Sequence, residues 1–340
     1  MLIKSNDLLA FLHKAVQEKL DGTTDVVLPT SNGNGHTYFG TLQNGQTAVL
    51  NSFRTVDPTK ILFYLTRERM RPEELAQKKR IILGVKNCDL KALEVMDRAL
   101  INQEFVDPTY KHWRESSVIV TSDCGAIGPT CHCNLVDGHP FATSGFDLNL
   151  SAINDNYVIT VGSDKGEALL KLLQKHVTLS QAPETVKQQV ENQRKAIQQQ
   201  LEQQNAAYAR STNYDHMRAV EHELWNDVSK QCIGCGACTH ICPTCYCLIL
   251  NDETKAQKFV KERSYDSCQL SGYARVAGGA TPRPEMHKRF RNRYLCKFDF
   301  MPHDFGLLGC TGCGRCTDAC AGEIDFREVV HVVDKNLATV

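Results

Sequence analysis

The sequence lacks a long apolar segment and an excess of charge. No apolar run reaches the roughly 18 residues that span a bilayer, and 39 Lys and Arg residues balance 39 Asp and Glu residues. This balance argues against a nucleic acid or another polyanion as the main partner. Near the N-terminus, Asp7, Lys14 and Glu18 interrupt the apolar stretch that a secretory signal peptide needs. We therefore expect a cytoplasmic protein with no membrane span.

Nucleotide-binding motifs are also missing. The sequence contains no G-x-G-x-x-G between a predicted strand and a helix, and no G-x4-G-K-[ST]. Gly162 and Gly166 do lie between a predicted strand and a predicted helix, but two glycines are too few for a dinucleotide turn. No Ser-His-Asp or paired-carboxylate pattern stands out either. We therefore expect no flavin or NAD(P) site and no catalytic residues in this chain.

Cysteine, in contrast, is abundant, with 16 residues. Eight of them lie in residues 232–243 (CIGCGACTHICP) and residues 310–320 (CTGCGRCTDAC), and both runs follow the spacing C-x2-C-x2-C-x3-C. This spacing is typical of [4Fe–4S] clusters in two-cluster ferredoxins, where the fourth cysteine of each run binds the other cluster. Glycines beside the cysteines let the backbone wrap closely around an inorganic core. Cysteine wealth in a reduced compartment favours metal or redox chemistry over disulfides.

Crossed ligation predicts two ligand sets for two [4Fe–4S] clusters. The first set is Cys232, Cys235, Cys238 and Cys320, and the second is Cys310, Cys313, Cys316 and Cys242. A zinc site usually has two C-x2-C pairs across a longer gap. A zinc-stabilised interaction protein is nevertheless the alternative from another functional class, and iron and acid-labile sulfide analysis would distinguish the two.

Four further cysteines lie in the N-terminal half of the chain: Cys88, Cys124, Cys131 and Cys133. Cys88 follows a predicted strand at 81–85 and opens a helix, where the helix N-terminus should favour a thiolate. The other three share a loop after a predicted strand at 118–121. If the sheet brings these strand ends together, four thiols suffice for a third cluster; the alternative is a set of buried thiols. His132 is expected to support this site rather than to bind metal.

The last four cysteines are Cys245, Cys247, Cys268 and Cys296. None has ferredoxin spacing, and two interpretations remain open. They pack around the clusters, or Cys245, Cys247 and Cys268 form a further site. The same region carries eight basic or histidine side chains: Arg275, Arg283, His287, Lys288, Arg289, Arg291, Arg293 and Lys297. These form a solvated face, a docking patch, or cations that offset the negative charge of thiolate-bound clusters.

Apolar periodicity predicts an α+β fold with alternating strands and helices in its first half. We predict strands at 25–29, 38–42, 47–50, 61–65, 81–85, 118–121 and 157–161, and helices at 5–20, 89–100, 166–176, 180–210 and 217–228. The helix at 180–210 is rich in Gln and has only a thin apolar stripe, so we expect it to be mostly exposed. A disordered linker is the alternative there.

The composition divides the chain into three parts. Residues 1–178 form an α/β-type domain that carries the cysteine loop. Residues 179–214 form a Gln-rich helical linker. Residues 215–340 form a ferredoxin-like domain with two clusters and a long insertion between its cysteine runs.

Several short phrases of the sequence resemble one protein family. They are GVKNCDLKAL at 84–93, CHC at 131–133, CPTCYC at 242–247, DSC at 266–268 and CTGCGRC at 310–316. Together they resemble the iron–sulfur β subunit of cytosolic NAD(P)-linked [NiFe] hydrogenases, the sulfhydrogenases. They equally resemble the related iron–sulfur subunit of the anaerobic sulfite reductase. The resemblance spans about residues 80–330.

The resemblance implies a non-catalytic electron-transfer subunit. Such a subunit would relay electrons between a flavin- and NAD(P)-binding subunit and a metal catalytic subunit, either a [NiFe] hydrogenase or a sulfite or sulfur reductase. It also implies that the N-terminal cysteines bind a third cluster. Two departures occur: no proline follows Cys320, and Cys296 stands where we expect a histidine, so we transfer no role to Cys296.

Overall fold

The computed structural model describes residues 1–43, 47–70, 78–210, 214, 217–220, 222–255 and 257–338. Its fold is α+β, as predicted. The strands are β1 (Leu2–Lys4), β2 (Thr23–Ser31), β3 (Thr37–Thr41), β4 (Arg67–Arg69), β5 (Lys79–Val85), β6 (Ser117–Ser122), β7 (Leu148–Ile153), β8 (Asn156–Val161), β9 (Leu248–Lys255) and β10 (Lys258–Tyr265).

The helices differ widely in length. They are α1 (Ser5–Gln17), α2 (Asn87–Leu100), α3 (Pro108–Glu115), α4 (Asp164–His176), α5 (Glu184–Asn205), α6 (His222–Val228), α7 (Ala237–His240), α8 (Met286–Leu295), α9 (Met301–Phe305), α10 (Arg315–Asp318) and α11 (Phe326–Ala338). A π-helical turn, Cys296–Phe300, joins α8 to α9. Among the described residues, no helix is both long and apolar enough to cross a membrane.

A seven-stranded sheet organises the N-terminal half, in the order β1-β8-β7-β6-β5-β2-β3. The four central strands β2, β5, β6 and β7 run parallel, and the outer strands pair antiparallel. Ile81 and Leu83 of β5 pack towards α1 and α4, whereas Ile82 packs towards α2 and α3. Helices on both faces explain why the central strands are almost continuously apolar. Because β5 and β6 are adjacent and parallel, their carboxyl ends meet at one edge of the sheet.

The C-terminal half has its own core. Trp225 of α6, Tyr294 of α8 and Phe326 and Val330 of α11 are buried together. A three-stranded sheet, in the order β4-β10-β9, lies beside this core. Its strand β4 comes from the N-terminal half and pairs antiparallel with β10. Strand pairing thus crosses the predicted division of the chain into 1–178, 179–214 and 215–340, which stays a prediction.

Helix α5 connects the two halves and lies on the sheet. Val190 and Leu201 are its buried apolar residues, and Val190 packs against Ile153 and Val158 of the sheet. Arg194 also pairs with Asp123, with a distance of 2.8 Å between Nε and Oδ2. The predicted thin apolar stripe is confirmed, and it is enough to dock the helix.

Two predicted strands are wrong. Residues 47–50 form no regular element; Val49 donates its backbone N–H to Pro29 but the segment makes no strand ladder. Residues 61–65 overlap a 3₁₀ turn, Thr59–Leu62, which follows Pro58. Short apolar runs of this kind do not distinguish a strand from a buried turn.

Other elements escaped prediction or were predicted too long. Helix α3 was not predicted, although the sequence signals its start: Asp107 caps the helix through its side chain, and Pro108 is its first residue. The predicted helix at 217–228 is a 3₁₀ turn, Met217–Ala219, followed by α6; Glu221 lies outside the described residues.

Candidate metal centres

The first cysteine run forms a loop that leads into the short helix α7. Gly234 and Gly236 have φ values of 70° and 76°, a backbone region that glycine adopts without steric cost. Cys235 is exposed, and the side chain of Ile233 is 66% exposed. The loop therefore lies at the protein surface.

The second cysteine run has the same backbone shape in an enclosed position. Gly312 and Gly314 have φ values of 67° and 74°, but Cys313 is only 8% exposed. A Cβ atom on Gly312 would lie 2.3 Å from Cα of Cys133, and one on Gly314 would lie 2.3 Å from the carbonyl oxygen of Thr130. These glycines therefore also permit close contact with the loop of the N-terminal half.

The fourth cysteine of each run lies near thiols of the other run. Burial raises the pKa of Cys232, and the nearby Cys320 raises it further. Burial also raises the pKa values of Cys310 and Cys316, and Cys242 contributes to both. Crossed ligation, which needs the fourth cysteine of each run near the other run, stays a prediction. Because thiols bind iron as thiolates, cluster assembly displaces these protons.

The donor set of the two runs consists of eight cysteine thiols. Within the described ranges, no three His, Cys, Asp or Glu side chains are placed to hold one metal ion. A tetrahedral zinc ion draws its sulfurs to about 2.3 Å from one centre, whereas a cluster carries each thiolate on a different iron. The eight thiols of the two runs supply the four thiolates that each of two predicted [4Fe–4S] clusters needs.

A buried guanidinium lies between the two runs. Arg293 is 7% exposed. Burial alone would lower its pKa, but the thiolates of Cys238, Cys316 and Cys242 outweigh this effect and raise it. Its plane also lies 4.8 Å from the Phe326 ring centroid. Arg293 therefore stays charged and offsets negative charge on both sides.

The four N-terminal cysteines converge on one cavity. Cys88, Cys124, Cys131 and Cys133 line it together with Cys313 of the second run. Cys88 follows β5 and Cys124 follows β6, so the adjacent parallel strands bring these two together. Cys131 and Cys133 come from the loop that contacts Gly312 and Gly314. The cavity joins the N-terminal thiols to the ferredoxin-type module.

Cys133 is buried, and Cys88, Cys124 and Cys131 are partly exposed. The surroundings of Cys88 nevertheless change the expectation for its thiol. Burial and the neighbouring Asp89 raise its pKa well above the ordinary value. The prediction that the helix N-terminus favours a thiolate at Cys88 is therefore wrong, because the raised pKa favours the protonated thiol. Burial raises the pKa of Cys124 to about 11, although the Lys86 ammonium lowers it. Lys86 is itself buried and donates to Leu50, Ser122 and Asp123.

Two arginines fasten the second run to the N-terminal half. Arg315 makes a bidentate pair with Asp89, with distances of 2.7 and 3.0 Å, and both side chains are 1% exposed. Arg54 pairs with Asp318 and donates to the Cys313 carbonyl. The sequence analysis did not identify these two arginines. A signal for Arg315 was present, because it is the basic residue at the position where the first run has Ala237.

His132 connects the N-terminal cysteines to the second run. Its Nδ1–H donates to the carbonyl of Thr130 over 2.9 Å, and its Nε2 lies 3.8 Å from Sγ of Cys310. Burial lowers its pKa to about 4, so the ring is neutral near pH 7. Its backbone N–H donates to Gly312 over 2.8 Å. These contacts fit the supporting role predicted for it.

The basic residues of the insertion do not form one solvated face. Arg289, Arg293 and Lys297 are buried, with exposures of 8%, 7% and 3%, whereas Arg275 is exposed. Lys288 pairs with Glu285 at 2.8 Å near the surface. The set thus divides into buried cations near cysteines and ordinary surface charges.

Comparison with known proteins agrees with the cysteine pattern. A family model described as a 4Fe-4S dicluster domain matches residues 231–324. The chain is 30% identical over 301 residues to a protein of Pyrococcus furiosus named sulfhydrogenase 2 subunit beta, with 85% of this chain and 86% of that protein covered. No solved structure matches the chain.

Proposed function

Because the chain belongs to the family of sulfhydrogenase beta subunits, we propose that it relays electrons between a flavin- and NAD(P)-binding subunit and a [NiFe] hydrogenase catalytic subunit. Its iron–sulfur electron-transfer role follows from the family and from the dicluster domain. A zinc-stabilised interaction protein does not account for this family membership. The identity of the two partners and the cytoplasmic location are the proposed part.

The observation that carries this proposal is a series of neighbouring cysteines through the chain. Cys124 lines the same cavity as Cys313. Cys242 lies near Cys310 in the same module, and Cys235 of the first run is exposed. Such a series leads from the N-terminal half to the surface, as electron transfer to a partner bound at the first cysteine run requires.

We propose that this series of cysteines binds three clusters. The ligand sets are Cys232, Cys235, Cys238 and Cys320 for the first, Cys310, Cys313, Cys316 and Cys242 for the second, and Cys88, Cys124, Cys131 and Cys133 for the third. The mutual effects on thiol pKa values support the crossed sets, and the shared cavity supports the third.

The surrounding residues set the conditions for one-electron transfer. Bound clusters supply the redox chemistry, which changes charge by one electron without making or breaking bonds to a substrate. Arg293 provides a buried positive charge beside both cysteine runs. His132 directs its neutral Nε2 towards Cys310. Burial of these groups excludes water and favours the less charged state of each centre.

The partners are tested by isolating the tagged chain anaerobically from its own organism. We expect a flavoprotein and a [NiFe] hydrogenase subunit to copurify, as identified by mass spectrometry. Copurification with a sirohaem sulfite reductase instead would replace the hydrogenase in the proposal. Recovery of the chain with neither a flavoprotein nor a metal catalytic subunit would contradict the relay.

The third cluster is tested by counting iron and acid-labile sulfide in the Cys88→Ser variant. We expect it to lose about four irons per chain. Met96→Leu, a volume-conserving change in the same helix, is the matched control and should keep all the iron. Full iron retention in Cys88→Ser, or a wild-type content of only about eight irons, would exclude this cluster.

A further inference from the structure

Four cysteines outside both runs line one cavity of about 320 Å³. Cys245 and Cys247 lie between α7 and β9, Cys268 follows β10, and Cys296 follows α8. The cavity has roughly ten times the volume of one liquid water molecule, about 30 Å³. The four thiols therefore surround space rather than filling a core.

These thiols are close enough to influence one another. Burial raises the pKa of Cys296, and the thiolates of Cys247 and Cys268 add to the rise, although Lys297 lowers it. Cys245 lies close to Cys242 of the first run, and their interaction raises the pKa of Cys245 and lowers that of Cys242. The group therefore lies directly beside the ferredoxin-type module.

Two buried cations line the same cavity. Arg293 and Lys297 are 7% and 3% exposed, and both belong to its wall. Nowhere in the described ranges does a carboxylate form an ion pair with either of them. Asp304, which also lines the cavity, bonds to His303 instead. Arg293 faces the thiolates of the two runs. Burial lowers the pKa of Lys297, but the thiolates of Cys242, Cys245 and Cys296 outweigh this effect and raise it. The positive charge in this wall therefore favours an anionic occupant of the cavity.

Hydrogen-bond donors already point at two of the sulfurs. The Tyr273 hydroxyl lies 3.3 Å from Sγ of Cys247, and Nε2 of Gln269 lies 3.4 Å from Sγ of Cys268. Gln269 is 2% exposed, and it is held by its second bond, from Nε2 to the Arg289 carbonyl at 2.9 Å. Donors to thiolate sulfur orient the ligands of metal centres and tune their potentials.

The backbone at Cys296 is also unusual. The π-helical turn Cys296–Phe300 begins at this cysteine. Such turns are rare and occur frequently at functional sites. The alternative is that the four cysteines only pack around the clusters. That interpretation does not explain the π-helical turn, the cavity or the buried cations.

We propose that Cys245, Cys247, Cys268 and Cys296 hold an additional iron–sulfur cluster next to the ferredoxin-type module. An iron–sulfur cluster suits the site better than a single zinc ion, because the four thiols line a cavity of about 320 Å³. The cluster accepts one electron from a reduced neighbouring cluster, which is oxidised by one electron in the same step. This site goes beyond the proposed relay and does not depend on which partners bind.

The first test is the Cys268→Ser variant, purified anaerobically and analysed for iron, zinc and acid-labile sulfide. We expect a loss of about four irons and four sulfides per chain, together with loss of one electron paramagnetic resonance signal after reduction. Met301→Leu changes the same wall without removing a thiol and should keep full content. Full iron and sulfide in Cys268→Ser, or loss of zinc instead of iron, would overturn the proposal.

A second variant tests the site even if Cys268→Ser fails to fold. Cys296→His retains a metal-binding side chain, so we expect the iron content to persist. Replacing thiolate by imidazole raises the potential of a cluster, so one reduction potential should shift upward while the others stay. Unchanged potentials and spectra would exclude Cys296 as a ligand. Copurifying partners report on the relay separately, so either result leaves the two conclusions distinguishable.

Discussion

The two cysteine runs share one motif but differ in surroundings. The paired glycines have nearly the same φ values, 70° and 76° in the first run and 67° and 74° in the second. Ile233 of the first run is 66% exposed, whereas Thr311 at the matching position is 6% exposed. The motif therefore determines the loop shape, and the rest of the fold determines which run meets solvent.

The difference arises from residues outside the spacing pattern. Arg315 of the second run binds the buried Asp89, and the matching residue of the first run is Ala237. Thr130 also donates to Asp318 over 2.7 Å. These contacts hold the second run against the N-terminal half, so the first run is the one left available to a partner.

The largest expected effect on stability comes from Arg315→Ala, which gives the second run the alanine that the first run has at this position. Arg315→Ala leaves Asp89 as an uncompensated buried charge, which costs about 3–5 kcal/mol in the free energy of unfolding. Chemical denaturation of the anaerobic holoprotein measures the loss. The double variant Arg315→Met with Asp89→Leu removes both charges and should recover much of it. Equal losses in the single and double variants would show that the ion pair is not the cause.

A smaller effect is expected from alanine at matching glycines. Gly236→Ala and Gly314→Ala share the left-handed strain of about 1–2 kcal/mol. A Cβ atom on Gly236 would lie 3.0 Å from the Ser267 hydroxyl, whereas one on Gly314 would meet the Thr130 carbonyl at 2.3 Å. Gly314→Ala should therefore lose about 1–3 kcal/mol more. Equal unfolding free energies for the two variants would contradict the close contact.

The smallest effect on stability is expected at Ile233. Because its side chain is exposed, Ile233→Asp should change the free energy of unfolding by less than about 0.5 kcal/mol. Thr311→Asp, its buried counterpart, should destabilise the fold through an unpaired buried charge. If a partner docks on the first run, Ile233→Asp should also weaken copurification of that partner. Unchanged copurification would move the docking site elsewhere.

Prediction from sequence succeeded where the signal was local. Helix α1 was predicted at 5–20 and lies at Ser5–Gln17, and the buried strand predicted at 81–85 lies within β5. It failed at 61–65. There the 3₁₀ turn Thr59–Leu62 follows Pro58 and takes up the first part of the apolar run that we predicted as a strand. Short segments without periodicity depend on their packing partners, which one sequence does not reveal.

The sequence by itself determined the two cysteine runs, because three of the four predicted ligands of each cluster lie within one short loop. Its spacing predicted the cluster type, and its short phrases indicated the family. Only the tertiary structure brought Cys88 of one strand end to Cys313, and gathered Cys245, Cys268 and Cys296 around one cavity. Contacts between residues far apart in the chain depend on sheet order and helix packing, and neither follows from local spacing.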